Sequence, residues 1–335
     1  MKTKDMEVRK DETGKKGQVY AEMLCDFMFK RLFGSEENKD VLIWFLNMIL
    51  EDVDIIEVEF IPTEHLGMTE EDSKAVFDIS CRCADGRSFI IEMQKGYQKH
   101  FRKRALFYTS YPINEQGRLA RERFIREHES RNDGEKFRWD FDLKPVTVVA
   151  LLNFKFEHEA DWPAERYHSS YRLREDCSHE VMTDVLRFVF LELGRFKKRL
   201  WELESDFDKW MYLLKHMHEM VEIPEKFSDP KFKRLFILSE IGTFTPEQYS
   251  QYMKSLKDMS DYYNIIDTAA EEAEKRGLKK GREEGRAEGL EKGLEKGRAE
   301  ESRSIALRLL EMGLAPEQIA KATMLSIEEI NQLKS

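Results

Sequence analysis

The 335-residue chain predicts an α/β fold in which helices flank a sheet, followed by an all-helical C-terminal extension. Three observations carry this. Two runs of β-formers, Ala75 to Cys83 and Ser88 to Gln94, are separated by an Ala-Asp-Gly turn and read as a hairpin. A third run, Val146 to Phe154, is apolar and β-branched at successive positions, as expected of a strand covered on both faces. Beyond Asp261 the composition changes to Lys, Arg, Glu and Ala, with glycine every fourth residue from Gly277 to Gly297, a helical pattern without a core-facing stripe.

The remaining elements follow in order. Apolar periodicity predicts helices over Val19 to Phe33 and Lys39 to Glu51, then a strand over Ile55 to Pro62 ahead of the hairpin. A basic helix begins near Arg102, and the polar stretch Glu127 to Asp140 reads as a loop or frayed helix. Two weaker strands are expected near Arg166 to Leu173 and Val185 to Leu193, then helices from Asp206 onward. The division is a polar tail over 1–17, an α/β domain over 18–262, a charged spacer over 263–303 and a small helical element over 304–335.

The hairpin register decides what its two carboxylates can do. A two-residue Asp85-Gly86 turn would oppose Asp78 to Met93 and split Asp78 and Glu92 between faces. A three-residue loop of Ala84, Asp85 and Gly86, with Gly86 left-handed, opposes Cys83 to Arg87 and hence Asp78 to Glu92. The second register is preferred. It collects Phe77, Ile79, Cys81, Cys83, Phe89, Ile91 and Met93 on an apolar face and leaves Asp78, Glu92 and Gln94 on the other.

Like charges directly opposed across strands destabilise a sheet, more so when half buried, so a positive group is expected between them. Mg²⁺ suits the place: it takes oxygen ligands, needs only one or two carboxylates, and completes its shell with water and phosphate. Such an ion activates water for phosphodiester cleavage. The plainer reading is a pair of solvated strand acids.

Asp78, a short hairpin and then Glu92-Met93-Gln94 resembles a PD-(D/E)XK nuclease signature with Gln in the usual Lys place. The segments DFMFKRLFGSEENKDVLIWFLNMIL, RALFYTSYPI and KPVTVVALLNF extend the likeness across roughly Tyr20 to Leu214, where the chain resembles the bacterial PD-(D/E)XK nuclease family transposases, the Rpn recombination-promoting nucleases. The resemblance implies a restriction-endonuclease-like core with a mixed central sheet, Mg²⁺ or another divalent cation as cofactor, and DNA as the partner that is cut. It implies Asp78 and Glu92 as metal ligands, Gln94 as the group orienting the attacking water, and the Met93 carbonyl as a further ligand. An amide positions water but carries no charge for the developing anion, a deficit that Lys74 or Lys95 would have to make up. Asp26 and Lys30 match a family motif, and with Glu22 they recur at four-residue spacing on one helical face, either as further active-site groups or as a solvated ion-paired stripe.

Net charge is −10, yet the segment from Lys95 to Arg126 carries nine basic residues against Glu115 and Glu122. Lys95, Lys99, Arg102 and Arg104 are therefore the expected DNA contacts, giving affinity that falls with salt and carries little sequence information, and the family resemblance adds Tyr108, which matches one of its aromatic positions. A charged helix face balanced by distant acids is the alternative. A non-catalytic DNA-binding or protein-interaction module on the same scaffold is the second functional class, suggested by Gln94 and by the acidic balance.

Other chemistries find no support. There is no nucleophile elbow, phosphate-binding loop or dinucleotide glycine fingerprint. Cys81 and Cys83 share a strand face without the partner pair a zinc site needs, and His216 and His218 stand two apart on a helix and face apart. The start of the chain has no secretory pattern, and the most apolar run, Val41 to Leu50, is too short to span a bilayer, so a cytoplasmic protein without membrane contact is expected. Gly277 to Gly297 reads as a fraying spacer or a self-associating helix, and a capping box at Ser326 and Glu329 opens the last helix of a helix-turn-helix-like unit. Its last helix carries Glu328 and Glu329 with only Lys334, so packing or homo-oligomerisation fits the unit better than DNA reading.

Overall fold

The computed structural model describes residues 18–65, 75–128 and 136–333. Lys74, the 1–17 tail and residues 129–135, half of the stretch expected as a loop or frayed helix, lie outside them. Among the described residues no helix is long and apolar enough to cross a membrane.

Two compact units are present, the first ending at Asp261 and the second beginning at Tyr262. The first is built on a mixed six-stranded sheet. Its strands are β1 (Glu59–Phe60), β4 (Ile79–Arg82), β5 (Ser88–Gln94), β6 (Val146–Leu152), β7 (His168–Arg172) and β8 (Leu186–Glu192), in the order β1-β4-β5-β6-β8-β7. The β4–β5 hairpin and the β1 and β7 edges are antiparallel, whereas β5, β6 and β8 run parallel. β2 (Glu64–His65) and β3 (Ala75–Val76) form a separate antiparallel pair. The expected strand over Ile55 to Pro62 is regular only at β1.

Alternation along the central strands fills a core on each side. Ile91 and Met93 of β5, Val149 and Leu151 of β6, and Val189 and Leu191 of β8 point to one face. There they meet α1 (Asp26–Phe33), α2 (Lys39–Ile49), α4 (Asp206–His216) and α5 (Pro230–Ser239), with Trp210 at the centre of a ring cluster formed by Phe33, Trp44 and Phe45. Cys81 and Cys83 are buried in this core as free thiols. Ile90, Val148, Ala150, Leu152 and Phe190 point the other way, onto α3 (Phe101–His128). α3 presents Phe101, Ala105, Tyr108, Thr109 and Pro112 to the sheet, a helical stripe at steps of three and four.

Two expectations are corrected. The helix expected from Val19 begins only at Asp26. Residues 19–21 instead pair with the end of α5, through Ala21 N–H to Ser239 O at 2.8 Å and Ile241 N–H to Val19 O at 3.0 Å, and backbone committed to that link cannot enter a helix. Phe77 leaves the face shared by Ile79 and Cys81, because the chain bends at Asp78 and Phe77 N–H bonds Thr63 O at 2.9 Å. Its ring enters the opposite core, 4.9 Å from that of Tyr108.

In the C-terminal part α6 spans Pro246–Glu311, and α7 (Pro316–Thr323) and α8 (Ile327–Gln332) close a small core of Ala306, Ile319 and Ile330. The Ser326 hydroxyl accepts from Glu329 N–H and the Glu329 carboxylate accepts from Ser326 N–H, completing the capping box. A Cβ on any glycine from Gly277 to Gly297 would meet nothing within 4 Å. Gly285→Ala with Gly289→Ala is therefore expected to stabilise α6 by about 1 kcal/mol per site, read as stronger helical circular dichroism and later melting. Unchanged melting would mean that these glycines are already packed against another chain.

Candidate functional site

The hairpin adopts the three-residue loop. Gly86 has φ +92°, Cys83 N–H bonds Arg87 O at 2.8 Å, and Ile79 opposes Ile91. Asp85 closes the turn, its carboxylate accepting from Arg87 N–H at 3.1 Å and from Arg87 Nε at 2.6 Å. One step beyond the ladder Asp78 stands across from Glu92, where side chains replace the next rung. Asp78 N–H donates to Glu92 Oε1 at 3.2 Å, and Asp78 Oδ2 accepts from Met93 N–H at 2.7 Å. Gln94 Nε2 donates to Glu92 Oε2 at 3.3 Å, so all three polar side chains are linked.

The surroundings differ from a solvated pair of acids. Glu92 is 2 % exposed and Gln94 9 %, because α3 covers their face; Asp78, at the bend, stays partly exposed. Burial, reinforced by the neighbouring Asp78 charge, pushes the Glu92 carboxyl up to about 8. Burial likewise raises the Asp78 carboxyl, which the Met93 N–H bond opposes. The two form one coupled acid pair holding protons more tightly than ordinary carboxyls.

Cations on both sides of the sheet act on the pair through their charge. Lys30 and Lys95 favour the ionised form of Asp78, whereas Asp26 opposes it. Asp26 and Lys30 are paired at 3.1 Å on the outer side of α1 and, with Lys95, line a cleft of about 880 Å³ also bounded by Gln248, Lys254 and Asp258. Arg104 approaches from α3 and favours the ionised form of Glu92.

The other expected positions divide. Glu22 lies outside α1 and so shares no helical face with Asp26 and Lys30. Its Oε2 pairs with His218 Nδ1 at 2.9 Å, a contact that raises the His218 imidazole. Tyr108, an expected DNA contact, is 8 % exposed and packs against Phe77; desolvation and then the charge of Glu92 raise its phenol. Lys99 and Arg102 are exposed near the start of α3, Arg102 lying 4.4 Å from the Phe156 ring centre. Farther along α3, Arg118 is engaged by Glu115 and Glu122. The proximity of Arg104 to Glu92 escaped the linear reading, although the stripe Phe101-Ala105-Tyr108 places Arg104 at its edge.

The donor set suits a hard cation. Among the described residues no group of three or more His, Cys, Asp or Glu side chains gathers as a complete metal cage. Two adjoining carboxylates are what Mg²⁺ requires when water and phosphate fill the rest of its shell. A second buried carboxylate, Glu192, aligns with Gln94 across β6 but is fully engaged by His158 Nε2 at 2.7 Å, Arg195 Nε at 3.0 Å and Phe156 N–H at 2.7 Å.

Residues 23–269 match the family model described as PD-(D/E)XK nuclease family transposase. No curated protein and no solved structure matches the chain.

Proposed function

The chain belongs to the PD-(D/E)XK nuclease family transposases, and from that premise we propose that it is a metal-dependent DNA endonuclease, hydrolysing phosphodiester bonds in transposase-like, recombination-promoting DNA breakage. The observation that carries this reading is the cross-strand pair. Asp78 and Glu92 are joined through the main chain, and burial and mutual repulsion resist their joint ionisation. The two carboxylates would be relieved of that repulsion by sharing a divalent cation.

Asp78 and Glu92 would hold Mg²⁺ together with the Met93 carbonyl, which lies on the same strand edge as the N–H bound by Asp78. The bound ion supplies Lewis-acid charge and a water acidic enough to attack at neutral pH. Gln94, anchored to Glu92, would orient the attacking water through its amide. Asp26 and Lys30 face the adjoining cleft, where Lys95 also lies. Exposed Lys99 and Arg102 contact phosphates flanking the scissile bond, so binding falls steeply with salt.

Purified protein with Mg²⁺ is expected to nick supercoiled plasmid, EDTA to stop it, and Asp78→Ala to abolish it. Equal cutting by wild type and Asp78→Ala would assign the activity to a contaminant and remove the reading. Gln94 in the lysine place favours a second reading, a DNA-binding module that does not cut; retention of plasmid without nicking in the same assay would select it.

A further inference from the structure

We infer that Arg104 is a catalytic residue, its guanidinium donating to a non-bridging oxygen of the scissile phosphate and supplying the positive charge that Gln94 lacks. This rests on the nuclease reading and adds a residue to it.

Arg104 differs from the other basic residues near the start of α3. Arg102 and Lys103 are exposed, but Arg104 is half-buried, lying over the rings of Phe101 at 5.1 Å and Tyr108 at 5.6 Å. Its Nη1 is held by Gln98, while its Nε is sealed from solvent and has no hydrogen-bond partner among the described residues. A guanidinium drawn from water with one N–H unsatisfied is costly to keep. Its position adds to that cost, since the first turn of a helix disfavours cations and the first turn of α3 contains no acid. An anion docking beside Glu92 would compensate the partly buried charge and its unfavourable place in the first turn.

The competing cations are placed differently. Lys30 already pairs with Asp26. Strand alternation sends Lys95 away from the face of Glu92 and Gln94, and it lines the cleft behind α1. Arg104 shares the α3 side of the sheet with Glu92 and Gln94. A rigid, permanently charged fork of donors suits phosphoryl oxygens better than a mobile ammonium.

The step requires no further reactant. Water attacks phosphorus and gives a proton to solvent, the bond to the leaving oxygen breaks, that oxygen takes a proton from solvent, and Arg104 gives up no proton. It stabilises the charge that gathers on the non-bridging oxygens, so its loss should slow turnover more than it weakens DNA binding.

The test compares wild type, Asp78→Ala, Arg104→Met, which keeps the packed stem, and Arg104→Lys. Single-turnover plasmid nicking in Mg²⁺ is measured beside DNA affinity in Ca²⁺ and the melting temperature. Arg104→Met should cut about 100-fold or more slowly with near-unchanged affinity and melting. Arg104→Lys should recover part of the rate, and added guanidinium ion should partly restore Arg104→Met. Cutting by Arg104→Met at the wild-type rate, or a loss of affinity equal to the loss of rate, would overturn the inference. Wild type no faster than Asp78→Ala would overturn the nuclease reading and Arg104's role with it.

Discussion

Glu92→Gln is expected to abolish Mg²⁺-dependent cutting while making the metal-free protein more stable at alkaline pH. The amide keeps the shape and can still accept from Asp78 N–H, but it cannot contribute charge to a cation. The sign of the stability effect follows from the raised carboxyl. In the unfolded chain Glu92 loses its proton near 4.5, and in the folded protein only near 8. Folding therefore favours the protonated form, and the associated stability is complete below about 4.5 and lost as pH rises through 8. The shift corresponds to a few kcal/mol. Urea melts of the wild type without metal should weaken from pH 5 to pH 8.5, and those of Glu92→Gln much less. Mg²⁺ should restore the wild type at the upper end if, as proposed, the ionised pair of the folded state holds it. Parallel pH profiles for the two proteins would show that Glu92 is not the proton-holding group.

The second large effect is purely structural. Glu192→Ala should cost about 3–5 kcal/mol, because it strands Arg195 and the Phe156 N–H and leaves His158 without its partner in a site that is almost sealed. Activity should fall only in step with the folded fraction, and Mg²⁺ affinity of the folded protein should not change. A selective loss of cutting at full stability would instead place Glu192 in the reaction. Glu92 and Glu192 lie near the C-terminal ends of β5 and β8, on either side of β6, and both are buried. They differ in neighbours. Three donors, two of them positively charged or able to be, surround Glu192, whereas Glu92 faces another acid.

Much of this was legible in residue order. The Ala84-Asp85-Gly86 loop determined the hairpin register, since left-handed Gly86 permits a three-residue turn and that count sets Asp78 across from Glu92. The apolar run at Val146 announced a strand covered on both sides. The α3 stripe was equally plain, and with it the burial of Tyr108 could have been anticipated, since its spacing from Phe101 and Ala105 places it inward. Glu22 illustrates the opposite case. Four-residue spacing made it look like a companion of Asp26, but the link between residues 19–21 and the end of α5, more than two hundred positions away, held it outside the helix.

Taken by itself, the chain determined its periodicities, its turn and the neighbourhood of its two acids, because backbone sterics and strand alternation act over a few residues. Only the tertiary structure decided which carboxylates are short of positive partners, how tightly they hold protons, and that Arg104 approaches Glu92. Those properties depend on excluded water and on distances between groups far apart in the chain, and no local pattern encodes either.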